Sequence, residues 1–254
     1  MSLKEITMTT QQMLSKLRKG ITKYKMINDG DKIAVGVSGG KDSVTLLKLL
    51  AEYKKFSPEK FDLIAVTVDL NFSHANADFS PIKQLCDDLN VEYYIQKTDI
   101  GQVVFDVRKE SNPCALCSKM RKGALYSLVK EKGFNKVALG HHSDDLIDTL
   151  LLSMFYEGRL STFAPKSYLD RTDLTLIRPM IMLEEIDVVS YSKDLPVVKS
   201  CCPANKNTKR EYVKELLSHV GKEIPNVREM LFTALIHPER YSLFDKYESD
   251  VDKF

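Results

Sequence analysis

Residues 31–43 read Asp-Lys-Ile-Ala-Val-Gly-Val-Ser-Gly-Gly-Lys-Asp-Ser. The first seven, DKIAVGV, form a short apolar run between Asp-Gly-Asp and Ser-Gly-Gly. Such a run reads as a strand buried on both faces, as strands of parallel sheets are. Residues 41–54 read as a helix. Between the two, Gly39 and Gly40 let the backbone turn tightly and come close to a ligand. The amides at the start of the helix then point at an anion. Ser38 and Ser43 add hydroxyl donors, Lys41 a cation and Asp42 a carboxylate for Mg²⁺. A Walker A loop is excluded, because that motif places a glycine ahead of its Gly-Lys pair where this chain has Val35.

Outward from this loop, further strands are expected at 61–70, 91–97, 136–140 and 174–179, with 196–199 extended. Helices are expected at 78–89, 115–132, 143–156 and 184–194. Alternation of this kind predicts an α/β fold with a doubly wound, Rossmann-like parallel sheet. Ligands then bind at the carboxyl ends of the strands. Residues 9–28 form a basic amphipathic helix, with Lys16, Arg18, Lys19, Lys23 and Lys25 between apolar positions. It reads as a docking helix with a solvated face, nucleic-acid contact being the alternative. After residue 203 only helices are expected, at 209–220 and 227–237. The expected organisation is an N-terminal helix (1–30), a nucleotide-binding domain (31–203) and a C-terminal helical extension (204–254).

The chain has 254 residues, of which 43% are hydrophobic and 28% charged, with net charge +2. This composition excludes wholesale disorder. No apolar run approaches the roughly 20 residues of a membrane helix, and the first residues lack a signal-peptide core, so a cytoplasmic protein is expected. Near-neutrality means that any nucleic-acid partner is held by local basic segments, such as 16–25, 119–122 and 206–214.

Five cysteines, an odd number, argue against a disulfide framework. Cys86 lies in a helical run beside Leu85 and Leu89 and reads as packing. Cys114 and Cys117 form C-x-x-C at an expected helix N-terminus, which lowers thiol pKa. Arg121 and Lys122 lie within two turns and can reinforce that field or reach phosphate. A redox pair, half a zinc site and part of an iron–sulfur site all remain open. Cys201 and Cys202 are adjacent, so in extended chain they point to opposite faces. Three thiolates therefore fit one site better than four, leaving an open position, and open sites do chemistry.

The stretch Ser38-Gly-Gly-Lys-Asp-Ser43 after a first strand resembles the PP-loop of the ATP pyrophosphatases. The block Ala138-Leu-Gly-His-His-Ser-Asp-Asp145 resembles that family's second motif, with Asp148-Thr149 where Glu-Thr is usual. PCALCSKMRKGALY, GHHSDDLIDTLLLSMFYEGRLSTFAPK and IRPM resemble the tRNA-cytidine 2-sulfurtransferase family over roughly residues 20–215. The enterobacterial-type pattern of that family has a C-x-x-C where this chain has Cys201-Cys202. The resemblance implies ATP-dependent adenylation of a pyrimidine carbonyl, cytidine C2 in a tRNA anticodon loop, and its replacement by sulfur. It implies a [4Fe–4S] cluster on Cys114, Cys117 and, by its spacing to Arg210, Cys202 in preference to Cys201. ATP is expected on Ser38, Gly39, Gly40, Lys41, Asp42 and Ser43, with adenine near Val68 and Asp69. Arg121, Gly140, His141, Asp144 and Asp145 complete the expected nucleotide site, and Asp42 would hold Mg²⁺. Lys41, Asp42, Asp145 and the three cysteines are the expected catalytic set. A sulfur donor, either a cysteine desulfurase or free sulfide, and a homodimer are also implied. A persulfide relay, a small-molecule acceptor and a nucleotide-sensing metal-binding module are the competing readings.

Overall fold

The computed structural model describes residues 8–73, 77–108, 113–199, 201–202 and 209–242. The chain divides into two compact units, residues 1–143 with 164–206 and residues 144–163 with 207–254.

The first unit is built on a six-stranded sheet in the order β3-β2-β1-β4-β6-β5. Its strands are β1 (Asp31–Gly36), β2 (Phe61–Asp69), β3 (Glu92–Lys97), β4 (Lys136–Ala138), β5 (Lys166–Leu169) and β6 (Leu174–Ile177). All pairings are parallel except β5 with β6. Ile33, Ala34 and Val35 of β1 are fully buried, as the apolar run predicts for a central strand. The antiparallel edge strand β5 is not anticipated by the sequence. Its residues Lys-Ser-Tyr-Leu are only partly buried, so they lack the hydrophobic run that marks an inner strand.

Helices α1 (Thr10–Lys23), α2 (Lys41–Lys54), α3 (Ser80–Asp88), α4 (Pro113–Glu131) and α6 (Glu185–Tyr191) flank the sheet. Helix α1 opens with a capping box between Thr9 and Gln12 and buries Met13, Leu17 and Ile21. It packs on α2, and α2 packs on α6. One basic residue of α1 is structural: Lys16 Nζ lies 2.5 Å from Asp187 Oδ2, whose side chain is nearly buried on α6. Leu125, Leu128 and Val129 of α4 close another core with Ile64, Val66, Val137 and Leu176. A π-helix at Gln102–Val107, also unanticipated, precedes α4.

At the amino ends of the strands Lys136 and Asp31 form a buried ion pair of 2.5 Å. Lys136 Nζ also donates to the Met26 carbonyl at 2.9 Å, and Asn135 Nδ2 donates to the other Asp31 oxygen at 3.0 Å. A buried charge pair is tolerated when its remaining hydrogen-bonding capacity is met in this way.

The second unit comprises most of α5 (Ser143–Glu157) with α7 (Lys209–Glu223) and α8 (Val227–Ile236). Its core joins Ile147 and Leu151 of α5 to Val213 and Leu217 of α7, with Leu231, Phe232 and Leu235 of α8 against them. The unit boundaries therefore differ from those read in the sequence. Helix α1 goes with the sheet through its apolar stripe, and α5, inside the expected nucleotide domain, shares its core with the C-terminal helices. No described helix is long and apolar enough to cross a membrane.

Candidate functional site

In the first unit the strand order reverses between β1 and β4, where open α/β sheets bind ligands. The loop after β1 sits there because its base is tied to β2. Val37 N donates to the Val66 carbonyl at 2.8 Å, and Thr67 Oγ1 donates to the Val37 carbonyl at 2.7 Å. Tyr93 of β3 donates in turn to Thr67 Oγ1 at 2.8 Å, and burial pushes the Tyr93 phenol up to about 12.

Ser38 and Ser43 close the loop on itself, with the Ser38 amide donating to Ser43 Oγ at 3.1 Å. Ser43 Oγ donates to the Gly40 carbonyl at 2.9 Å. Gly39 has φ +87°, a left-handed conformation that a side chain resists, and its Cβ would lie 2.9 Å from Val198 Cβ. The expected extended segment at 196–199 is thus a wall of the loop, with the Val198 amide donating to the Gly39 carbonyl at 2.9 Å. Gly40 is the N-cap of α2 and supplies no side-chain cap. The first-turn amides of α2 are therefore left for an anion.

Lys41 Nζ lies 2.7 Å from Asp42 Oδ1 and 3.2 Å from Glu185 Oε1. Burial alone would lower the ammonium pKa. The hydrogen bond to Asp42 and the charges of Asp42 and Glu185 outweigh it and hold the group above its ordinary value. Lys41 is accordingly a fixed cation at the loop. The block after β4 meets the same loop: a Cβ on Gly140 would stand 2.7 Å from the Asp42 carbonyl oxygen. Buried His142 brings Nε2 to 3.7 Å from Asp42 Oδ1, while His141 is half-buried beside it. At the end of β2, half-buried Val68 packs on Ile100, Val104 and Cys117. The Asp69 carboxylate accepts from the Asn71 amide at 3.1 Å, and the Asp69 carbonyl accepts from Thr98.

The C-x-x-C occupies the first turns of α4, with Cys114 exposed and Cys117 buried. The thiol-lowering effect expected of a helix start does not win at Cys117. Burial raises its pKa, Arg121 opposes with its charge, and Cys202 and Cys114 raise it further. Cys117 thus lies within electrostatic reach of both Cys114 and Cys202. Cys201 turns its Sγ toward the Lys199 carbonyl, 3.9 Å away. Among the described residues no group of three or more His, Cys, Asp and Glu side chains is drawn together as a single-ion site. Cys86 is fully buried and burial pushes its thiol up to about 12, which agrees with a packing role. Of the basic segment 206–214, residues 206–208 lie outside the described residues.

In the second unit Asp144 and Asp145 stand in the first turn of α5, where the helix dipole favours carboxylates. Each is met by an arginine: Arg228 Nη1 lies 2.7 Å from Asp144 Oδ1, and Arg210 Nη1 lies 2.8 Å from Asp145 Oδ1. One turn on, Asp148 is fully buried and its carboxyl is pushed up to about 6, chiefly by burial, against the charges of Lys214, Arg210 and Arg228. Sequence reasoning missed Glu185, Arg228 and Val198 as members of these groups. The available signal for Glu185 was its position just beyond the carboxyl end of a parallel strand. Arg228 carried none, because it reaches Asp144 across 84 residues of chain.

A PP-loop domain family matches residues 7–219. The chain is 36% identical to a tRNA-cytidine(32) 2-sulfurtransferase of Citrifermentans bemidjiense, covering 91% of this chain and 92% of the relative. It is 37% identical to one of Pelobacter propionicus, covering 92% of each. Among solved structures it is similar to the U34-tRNA thiolase NcsA from Methanococcus maripaludis with its [4Fe–4S] cluster. That likeness has TM-score 0.73 and 24% identity, covers 91% of this chain and 79% of that one, and shows the fold. The six-stranded sheet, the loop that closes on Lys41 and the extent of these matches lead to one conclusion: the chain belongs to the PP-loop family and, within it, to the group of the tRNA-cytidine 2-sulfurtransferases.

Proposed function

We propose that this protein thiolates a pyrimidine of tRNA, cytidine C2 in the anticodon loop, at the expense of ATP. The observation that carries the reading is the loop at 38–43, whose uncapped amides and fixed Lys41 stand at one strand terminus, in a unit that also carries Cys114, Cys117 and Cys202. The relatives named above carry the substrate assignment.

In this reading the amides of Gly39, Gly40 and Lys41 and the hydroxyls of Ser38 and Ser43 cradle the phosphates. Lys41 exchanges its contacts with Asp42 and Glu185 for phosphate oxygens and stabilises the charge that develops at the α-phosphorus. Asp42, freed of Lys41, would hold Mg²⁺. Adenine lies at the end of β2 beside Val68 and Asp69. His141 and Gly140 bound the phosphates from the β4 side, and Arg121 supplies a further cation. The pyrimidine 2-carbonyl oxygen attacks the α-phosphorus and pyrophosphate leaves. Sulfide then displaces AMP, leaving the thiocarbonyl. An exposed loop base makes the required unstacking cheap.

Cys114, Cys117 and Cys202 suit a thiolate-ligated iron–sulfur group by donor chemistry, three soft sulfurs of which Cys117 feels the other two. Such a group, bound as a [4Fe–4S] cluster, would keep the incoming sulfur anionic at neutral pH. The half-buried Cys201 beside Cys202 favours a second reading, in which two thiols relay sulfur as persulfide and disulfide. Partners in either case are tRNA and a sulfur donor, a cysteine desulfurase or free sulfide. The protein acts in the cytoplasm as a homodimer.

Lys41→Ala tests the nucleotide half: AMP formation disappears while iron content is retained. Iron and labile sulfide are measured on anaerobically purified protein, and full thiolation with no iron would transfer the chemistry to the relay. Binding of tRNA titrated against salt checks the acceptor, since phosphate contacts give a steep salt dependence.

A further inference from the structure

Within the first unit, the amino end of α6 meets the nucleotide loop. Glu185, the first residue of α6, brings Oε1 to 3.2 Å from Lys41 Nζ. The two side chains are 28% and 31% exposed, so solvent and salt screen the pair only in part. The other carboxylate on Lys41, that of Asp42, stands in the same first turn of α2. A neighbour on the same turn moves with the lysine and cannot fix it against the rest of the unit. Glu185 can, because it stands on a different element.

That element is in turn held from α1. Lys16 Nζ lies 2.5 Å from Asp187 Oδ2 and 3.8 Å from Glu184 Oε1, so it holds the residues on both sides of Glu185. The same Asp187 oxygen accepts from the Glu184 amide at 3.0 Å, closing the capping box that starts α6. At the far end of α6, Thr10 Oγ1 lies 3.2 Å from the Tyr191 hydroxyl. A Cβ on Gly20 would stand 3.0 Å from the Pro179 carbonyl oxygen, so α1 also lies close against the segment that leads into α6.

We propose that Glu185 is a positioning residue for Lys41, anchored by Lys16 of α1 through the amino end of α6. The inference rests on the reading of residues 38–43 as the phosphate loop. A lysine ammonium is a compact point charge on a flexible four-carbon stem, so its place is set by its partners. With Asp42 alone, the ammonium follows that carboxylate and the two cancel each other's charge at the loop. With Glu185 as a second partner, the ammonium stays at the loop when Asp42 turns away, until phosphate oxygens take it over. Charge that develops at the α-phosphorus then meets a cation already in place, an interaction realised most fully in the transition state. Helix α1 thereby acts on the nucleotide loop through α6.

Glu185→Gln in the full-length protein keeps the shape of the side chain and removes its charge. Two quantities are read: ATP-dependent AMP release with tRNA, and equilibrium binding of ATP by calorimetry in the presence of EDTA. The kcat is expected to fall on the order of tenfold, as for a misplaced catalytic group. The Kd for ATP is expected to stay within about threefold, because the interaction lost belongs to the transition state. A merely structural defect would weaken ATP binding and lower the urea midpoint along with kcat. Lys16→Met is expected to lower kcat by less. The double variant is expected to lose no more than Glu185→Gln alone, because both substitutions act through one contact. Unchanged kcat in Glu185→Gln, or a Kd weakened by the same factor as kcat falls, overturns the positioning role. Unchanged kcat in Lys16→Met, or losses that multiply in the double variant, overturns the anchoring through α6. AMP release retained in Lys41→Ala would instead refute the phosphate-loop reading.

Discussion

Gly140→Ala isolates the contact between the block after β4 and the nucleotide loop. A Cβ built there stands 2.7 Å from the Asp42 carbonyl oxygen, 2.8 Å from the Asp42 carbonyl carbon and 3.1 Å from the Ser43 amide nitrogen. All three are backbone atoms of the first turn of α2, so no side chain can rotate to relieve the clash. Ordinary contact begins at 3.4 Å, so that turn must retreat by about 0.7 Å. Misplacing reacting groups by about 1 Å costs about a hundredfold, so kcat/KM for AMP release should fall by tens-fold, about 2–3 kcal/mol of transition-state stabilisation. Overpacking should cost a further 1–3 kcal/mol of stability, roughly, read by urea unfolding. Gly123→Ala is the control: its Cβ meets nothing within 4 Å, on the same helix as the C-x-x-C. It should be neutral or stabilising by about 0.5–1 kcal/mol. Activity of Gly140→Ala within about threefold of the unmodified protein would refute the argument, because the loop would then tolerate a displacement that in-line chemistry should not.

Asp148 also makes a stability prediction. Its carboxyl stands at about 6 in the fold against an ordinary 3.8, so the folded state binds the extra proton and stability falls as pH rises through about 6. The full effect, spread from below pH 4 to above pH 6, is about 3 kcal/mol, of which about half falls above pH 5, and Asp148→Asn should remove it: denaturant midpoints that fall from pH 5 to pH 8 in the unmodified protein should fall less in the variant. Lys136→Met should destabilise by about 3–5 kcal/mol, since it leaves the Asp31 carboxylate buried without its cation, whereas Lys136→Met with Asp31→Leu should recover most of that loss in thermal unfolding. Cys202→Ala should abolish iron binding and thiolation while AMP formation persists, and Cys201→Ala should spare both. Iron retained in Cys202→Ala and lost in Cys201→Ala would exchange the two roles.

Much of this protein is legible in one dimension because its signals are local. The run 31–37, the glycines at 39 and 40 and the helix at 41–54 specify strand, anion-binding turn and helix through backbone rules that act over a few residues. The doubly wound sheet follows from alternation, since parallel strands need helical crossovers. Edge strand β5 and the π-helix at Gln102–Val107 escape such a reading. Half-buried polar residues and a single i→i+5 turn leave no periodic mark. Basic residues are also ambiguous until they are placed. Lys16 and Lys19 look alike on the helical wheel, yet Lys16 meets a nearly buried Asp187.

The sequence by itself determined the chemistry available: an anion-binding loop with its lysine, a pair of carboxylates after β4, and a C-x-x-C with two further cysteines downstream. Those features depend on residue identity and on neighbours a few positions apart. Tertiary structure alone decided which groups modulate them. Glu185 reaches Lys41 across 144 residues, Arg228 reaches Asp144 across 84, and Cys202 adds its field to Cys117. It also decided the direction of the Cys117 shift, because desolvation depends on what covers a side chain rather than on its place in a helix. Likewise it assigned α5 to the C-terminal helices, since an amphipathic helix shows in sequence that it has an apolar stripe but not which partner fills it.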